Sequence, residues 1–194
     1  MKSLVTGANG FVGSAVARCL LEAGHEVRCL VRAGSDQSNL KGLPVEISEG
    51  DLRDVASLKR AVTNCENLFH VAADYRLWVP DPETMYEINV KGTQELILAA
   101  SGADVSRIIY TSSVATLGIN LDGNPADENT PSSLNNMTGH YKRSKFLAEQ
   151  VVQHLTDKHQ LPLVIVNPST PVGPRDVKPT PTGQIVLDTL CGRM

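Results

Sequence analysis

The chain has 194 residues, enough for one domain with a sizeable core, and its 41% apolar and 20% charged content is that of an ordinary globular protein. A net charge of −3 gives no electrostatic reason to expect nucleic acid or an acidic membrane surface as partner, and no apolar run reaches the length of a membrane span. The N-terminus lacks the basic and apolar stretches of a secretion signal. Cys19, Cys29, Cys65 and Cys191 form no C-x-x-C pair, so reduced core thiols, a cytoplasmic location and no metal site are expected.

Lys2 to Val5 reads as a first strand, and Ser14 to Ala23 as a helix with Val16, Ala17, Leu20 and Leu21 at helical spacing. Between them lies Thr6-Gly7-Ala8-Asn9-Gly10-Phe11-Val12-Gly13. Strand, glycine turn and helix in this order is the context of a dinucleotide-binding turn. Gly7 permits the tight turn, Gly10 lets the backbone approach a pyrophosphate, and Gly13 lets helix pack close to strand. The spacing is G-x-x-G-x-x-G rather than G-x-G-x-x-G, and a glycine turn that binds nothing is the plain alternative.

Glu26 to Val31 reads as the second strand. It ends at Arg32, where an acidic residue would accept hydrogen bonds from an adenosine ribose. An arginine pairs instead with a 2′-phosphate, which favours NADP(H) while leaving NAD(H) open; a solvated loop arginine is the plain alternative. Gly34 to Gly42 is a polar loop and Val45 to Ser48 a short third strand. Asp51 is placed to hold an adenine amino group, or either Asp51 or Asp54 caps the helix over Val55 to Val62. Asn67 to Val71 is a fourth strand, and the small Ala72 and Ala73 at its end allow a flat ligand to approach. Asp74 to Pro82 is a loop whose Tyr75, Arg76 and Trp78 either line a substrate cleft or cover the sheet edge.

Glu83 to Ala100 reads as one long helix with Asn89, a polar residue, in its middle, either exposed at the surface or reaching inward to organise water or backbone near a site. Val105 to Tyr110 is the fifth strand, with Thr111-Ser112-Ser113 at its end. Leu117 to Met137 is a long loop of the kind that carries function. Gly139 to His159 is a helix, Leu161 to Val166 a sixth strand ending at Asn167-Pro168, Ser169 to Pro181 a proline-rich loop, and Gly183 to Cys191 the start of another helix. Alternating strands and helices predict an α/β doubly wound Rossmann fold, with a mostly parallel sheet and helices on both faces. Ligands bind such sheets at the carboxyl ends of the strands, where the glycine turn, Arg32, Ala72, Ser113 and Asn167-Pro168 all fall.

Tyr141 and Lys145 are four apart on a predicted helix and so share a face. A free tyrosine has a pKa of about 10. A neighbouring ammonium would lower it, so that Tyr141 exchanges a proton with a substrate hydroxyl or carbonyl while Ser113 hydrogen-bonds the same oxygen. Y-x-x-x-K alone is a common chance pattern on an amphipathic helix. Its position downstream of the glycine turn and the serine-rich strand end raises its weight.

Taken together, the glycine turn, Gly50-Asp51-Leu52, His70 to Ala73, Asn89-Val90-x-Gly92-Thr93, Thr111-Ser112-Ser113, Tyr141-x-x-x-Lys145 and Asn167-Pro168 resemble the extended short-chain dehydrogenases/reductases over nearly the whole chain. The closest likeness is to the dihydroflavonol-4-reductase-like and hopanoid-associated sugar epimerase branch. The resemblance implies an enzyme that moves a hydride between a nicotinamide cofactor and a small-molecule carbinol or carbonyl, a nucleotide sugar among the candidates. It implies Ser113, Tyr141 and Lys145 as the catalytic residues; Gly118, five residues on, selects Ser113 over Ser112. Cofactor contacts are implied from Gly7, Asn9, Gly10, Phe11, Val12 and Gly13, from Arg32, Asp51 and Leu52, from Ala72 and Ala73, from Tyr141 and Lys145, and from Pro168 and Thr170. It further implies that residues 1–194 are the NAD(P)-binding domain without the smaller C-terminal substrate lobe, and it permits a homodimer through the helices near 83–100 and 139–159, where Phe146, Leu147 and Val151 offer apolar surface. The reading from another class is a non-catalytic dinucleotide sensor, or an inactive fragment, with the same fold.

Overall fold

The computed structural model describes residues 1–120 and 122–193; of the expected segments, the loop over 117–137 includes Leu121, and the chain end is Met194, both outside the described residues. Six strands form one sheet: β1 (Lys2–Thr6), β2 (Glu26–Val31), β3 (Glu46–Glu49), β4 (Asn67–His70), β5 (Arg107–Thr111) and β6 (Leu163–Val166). Their order is β3-β2-β1-β4-β5-β6 and every pairing is parallel. The doubly wound Rossmann fold expected from the sequence is therefore the fold observed.

The two central strands are apolar on both faces because helices cover both. Leu4 and Val5 of β1 and Leu68 of β4 are fully buried. One cluster joins Leu4, Leu68, Ile108 and Tyr110 to Leu58, Leu96, Ile97, Ala148 and Val152 on the helices of one face. A second, around Val5, Val27, Cys29 and Val31, takes Ala17 and Leu20 from α1 (Phe11–Glu22) on the other. At the edge the pattern changes: β6 alternates half-buried and exposed residues, and no residue of α6 (Pro181–Leu190) is buried.

Several boundaries differ from the expected ones for local reasons. α1 begins at Phe11 rather than Ser14, because Gly10 in an extended conformation already caps it and Ser14 Oγ donates back to Phe11 O at 2.9 Å. α2 (Val55–Val62) is capped by Asp54, whose carboxylate accepts from Ala56 N, which assigns capping to Asp54 rather than Asp51. The single helix expected over 83–100 is three pieces: α3 (Glu83–Tyr86), a π-helical turn (Glu87–Gly92) and α4 (Thr93–Ser101). α5 (His140–His159) forms as expected, one residue shorter at its start. Cys29 and Cys65 are buried, but Cys19 and Cys191 are exposed, so only two of the four are core thiols.

Candidate active site

Parallel strands present all their carboxyl ends on one edge, and the functional residues collect there. After β1 the chain turns at Gly7, whose φ of +66° suits glycine and whose Cβ would lie 2.8 Å from the Ala72 backbone. The turn closes with Gly10 N donating to Gly7 O at 3.0 Å. Gly13 is the tightest point: a Cβ there would sit 2.0 Å from Gly7 O. Gly10 is different, being exposed, and a Cβ added to it would have only Gly7 O nearby, at 3.3 Å. Its outer side is open to an approaching group. Because α1 starts at Phe11, the N–H groups of Phe11, Val12 and Gly13 form its first turn, and Gly10 supplies no side-chain cap for them. A diphosphate fits this donor set. Asn9 does not face it: its Nδ2 donates to Asp36 O at 2.9 Å and its carbonyl accepts from Asn39 Nδ2, so it fastens the loop after β2.

Arg32 follows β2, exposed, on an open cleft of about 620 Å³ that it shares with Ser35, Gly50, Asp51, Arg53 and Arg60. Asp51 Oδ1 and Oδ2 are each held at 2.9 Å by Arg53, which keeps the carboxyl near a pKa of about 2; the hydrogen bonds from Arg53 outweigh the opposing effect of burial. The carboxylate expected to meet an adenine is thus largely engaged by its neighbour. Leu52 is buried in the core, and Ala72 and Ala73 are half-buried beside the glycine turn. Pro168 accepts from Val114 N at 3.0 Å, while Thr170 is exposed.

A buried polar row crosses the sheet beneath this edge. Thr6 Oγ1 accepts from Val71 N and Ala72 N, so its proton goes to His70 Nδ1 at 2.8 Å. The His70 proton is then on Nε2, donating to Thr93 Oγ1 at 2.9 Å. Burial, aided by the Lys145 charge, lowers the His70 pKa to about 3, so the ring is neutral. The His70 ring lies 5.6 Å from that of Tyr110, and Lys145 Nζ donates to Tyr110 Oη at 3.1 Å and to Thr111 O at 2.8 Å.

Ser113 Oγ accepts from Ala115 N, capping the short turn Val114–Thr116 and leaving its proton available. That hydroxyl lies against Tyr141 and favours its phenolate, but burial is the larger effect and the Tyr141 pKa is raised. This corrects the expected direction. Lys145 does share a helix face with Tyr141, but its ammonium is turned to Tyr110 and Thr111, and burial in turn draws the Lys145 pKa down to about 7. Ser113, Tyr141 and Lys145 are nonetheless one cluster on α5 and the end of β5.

Of the two orientations open to Asn89, the structure shows the inward one: its Oδ1 accepts from Asp74 N at 2.7 Å and its Nδ2 donates to Asp74 O and Ser144 Oγ. The π-helical turn carries it there. Two features escaped the sequence reading: the His70 row, and Glu149, whose Oε2 accepts from Ser112, Thr116 and Asn167. Trp78 is 79% exposed and Arg76 pairs with Asp74, while Val79 of the same loop is buried. Among the described residues, no helix is long and apolar enough to cross a membrane and no group of His, Cys, Asp and Glu is placed to hold a metal.

Residues 3–191 match the model of the NAD dependent epimerase/dehydratase family. A Synechocystis sp. protein named provisionally as a dihydroflavonol 4-reductase is 48% identical over 98% of the chain and 55% of its own length. The crystal structure of gox2253 superposes with a TM-score of 0.94 at 60% identity, covering 99% of this chain and 58% of that one. The Thermus thermophilus UDP-glucose 4-epimerase in complex with NAD gives a TM-score of 0.82 at 25% identity, over 96% and 61%. The chain thus spans a little over half the length of the proteins it matches.

Proposed function

The chain belongs to the NAD dependent epimerase/dehydratase family, and on that premise we propose that it is the NAD(P)-binding domain of an enzyme that moves a hydride between nicotinamide and a substrate carbinol or carbonyl. One observation carries this reading: Ser113, Tyr141 and Lys145 cluster on the strand edge that also bears the open N-terminus of α1. A bound nicotinamide dinucleotide supplies the hydride donor or acceptor.

The chain's own residues do the rest. The first-turn amides of Phe11, Val12 and Gly13 hold the diphosphate, and Ala72 and Ala73 leave room for the flat groups beside it. Ser113, its lone pair occupied by Ala115 N, turns its proton toward a substrate oxygen. Tyr141 Oη, beside it, takes a proton from a substrate hydroxyl or returns one to a carbonyl. Ser113 favours the phenolate that the burial of Tyr141 opposes, and Lys145 lies one turn further along α5 with its ammonium on Tyr110 and Thr111.

Arg32 supports NADP(H) over NAD(H). It is an exposed guanidinium on a cleft where a 2′-phosphate would lie, with no acidic residue at the end of β2 to receive a ribose hydroxyl. That preference favours net reduction, and the Synechocystis relative's name supports a dihydroflavonol-like carbonyl as substrate. The NAD-bound epimerase relative supports the second reading, epimerisation of a nucleotide sugar. We extend the proposal to a cytoplasmic protein and to a homodimer through α4 and α5, where Phe146 and Leu147 are only half-buried; Val151 packs inward instead.

The test is Tyr141→Phe in the complete enzyme, assayed by nicotinamide absorbance with aromatic ketones and by product analysis with nucleotide sugars. Turnover should fall by at least about a hundredfold, the usual contribution of a positioned acid–base group, with cofactor affinity kept. Unchanged turnover contradicts the assignment.

A further inference from the structure

Tyr141, Lys145 and Glu149 follow one another at four-residue intervals on α5, so the face that carries the candidate acid–base pair continues to a carboxylate. One oxygen of that carboxylate, Oε2, gathers three donors from three places. Ser112 Oγ donates from the end of β5, Thr116 Oγ1 from the turn after Ser113 at 2.9 Å, and Asn167 Nδ2 from the end of β6 at 3.1 Å. Asn167 Nδ2 also donates to Ser113 O and Thr116 Oγ1, each at 3.1 Å, so the group is a closed network and not a surface pair. Ser113 lies inside it, between two residues that the carboxylate holds.

We propose that Glu149 is the positioning residue of this site: its carboxylate ties the ends of β5 and β6 to α5, which fixes Ser113 against Tyr141, and it is the counter-charge to Lys145. The inference rests on the reading of Ser113, Tyr141 and Lys145 as the reacting cluster.

The surroundings make the counter-charge necessary. Lys145 is buried, with its ammonium spent on one phenol oxygen and one backbone carbonyl, neither of them charged. The titratable groups around it are Tyr110 on β5, His70 on β4, and Tyr141 and Glu149 on its own helix. His70 is neutral and both tyrosines are pushed up by burial, and Glu149 is the one carboxyl group among them. Burial lowers the Lys145 pKa to about 7 and Glu149 acts in the opposite direction. Clamp and counter-charge can be separated. Glutamine keeps an acceptor oxygen for the three donors but has no charge; alanine has neither.

The experiment follows Lys145 by NMR of the 194-residue chain labelled with ¹³C-lysine, its resonance identified by Lys145→Met, with amide hydrogen exchange of residues 112–117 and 166–169 read on the same proteins. Glu149→Gln should lower the Lys145 titration midpoint by about one unit, the size of losing one nearby charge in a partly screened interior. Glu149→Ala should lower it as well and speed exchange at both strand ends about tenfold or more. An unmoved midpoint in Glu149→Gln overturns the counter-charge role, and unchanged exchange in Glu149→Ala overturns the clamp. NADPH titration of the parent chain, done alongside, keeps the two readings apart. Absence of binding would remove the dinucleotide reading, whereas the Lys145 midpoint decides the role of Glu149 in either case.

Discussion

The two ends of one sheet edge are built by different means. At the β1–α1 end the geometry is made of backbone. Gly7 and Gly13 bring the turn, the helix start and the Ala72 backbone together at distances that leave no room for side chains, while Gly10 stays open on its outer side. At the β5–α5 end it is made of side chains: Ser113 and Lys145 are held by partners on β5, just past β6 and in the intervening turn, and Ser113 lies against Tyr141. The first end holds its shape through steric exclusion. The second holds it through a hydrogen-bonded network in which each group depends on another. Substitutions should therefore damage fold and binding together at the first end, and should separate function from fold at the second.

The hardest blow to that contrast is Gly13→Ala. Its added carbon would meet Gly7 O at 2.0 Å, a backbone atom that cannot swing away. A loss of about 3 kcal/mol or more is expected in urea unfolding, at the upper end of overpacking effects, together with loss of cofactor binding. A stable, binding-competent Gly13→Ala would show that the turn is looser than its contacts imply. Next in size is the acid response of the buried row that links the two ends. His70 titrates near 6.5 when unfolded and near 3 when folded, so the unfolded state binds the extra proton between those values. Its contribution to stability is complete above 6.5 and is lost as the pH falls from 6.5 towards 3, by about 1.4 kcal/mol per unit. His70→Gln, which can still bridge Thr6 and Thr93, should remove that slope in acid unfolding measurements. An identical slope in both proteins would place the acid sensitivity elsewhere.

The same division explains what the sequence made legible. Backbone constraint writes itself as glycine, so the turn, its place after a strand and the parallel sheet behind it could be read from residue order. The helix start could not, because whether Phe11 or Ser14 opens α1 depends on the extended conformation of Gly10. Side-chain networks leave fainter marks. The Tyr141–Lys145 pair was legible through spacing and Ser113 through the family resemblance, but the direction in which Lys145 points was not, because Tyr110 and the Thr111 carbonyl hold it from β5. Glu149 was missed although it stands eight residues after Tyr141 on the same helix face. Its spacing was a usable signal, but its partners come from three segments that only the fold brings together. For Asn89 the sequence left surface and interior open, and the choice was set by the π-helical turn, absent from a continuous helix over 83–100, that directs it to Asp74 and Ser144.

The central claim is that the open N-terminus of α1, with Arg32 at the end of the neighbouring strand β2, receives a phosphorylated dinucleotide. Calorimetric titration of the chain and of Arg32→Ala with NADPH and with NADH tests it most directly. The account predicts saturable binding of both, with NADPH at least about tenfold tighter, a difference of about 1.4 kcal/mol, and with that preference abolished in Arg32→Ala while NADH affinity is kept. A folded chain that binds neither dinucleotide would contradict it.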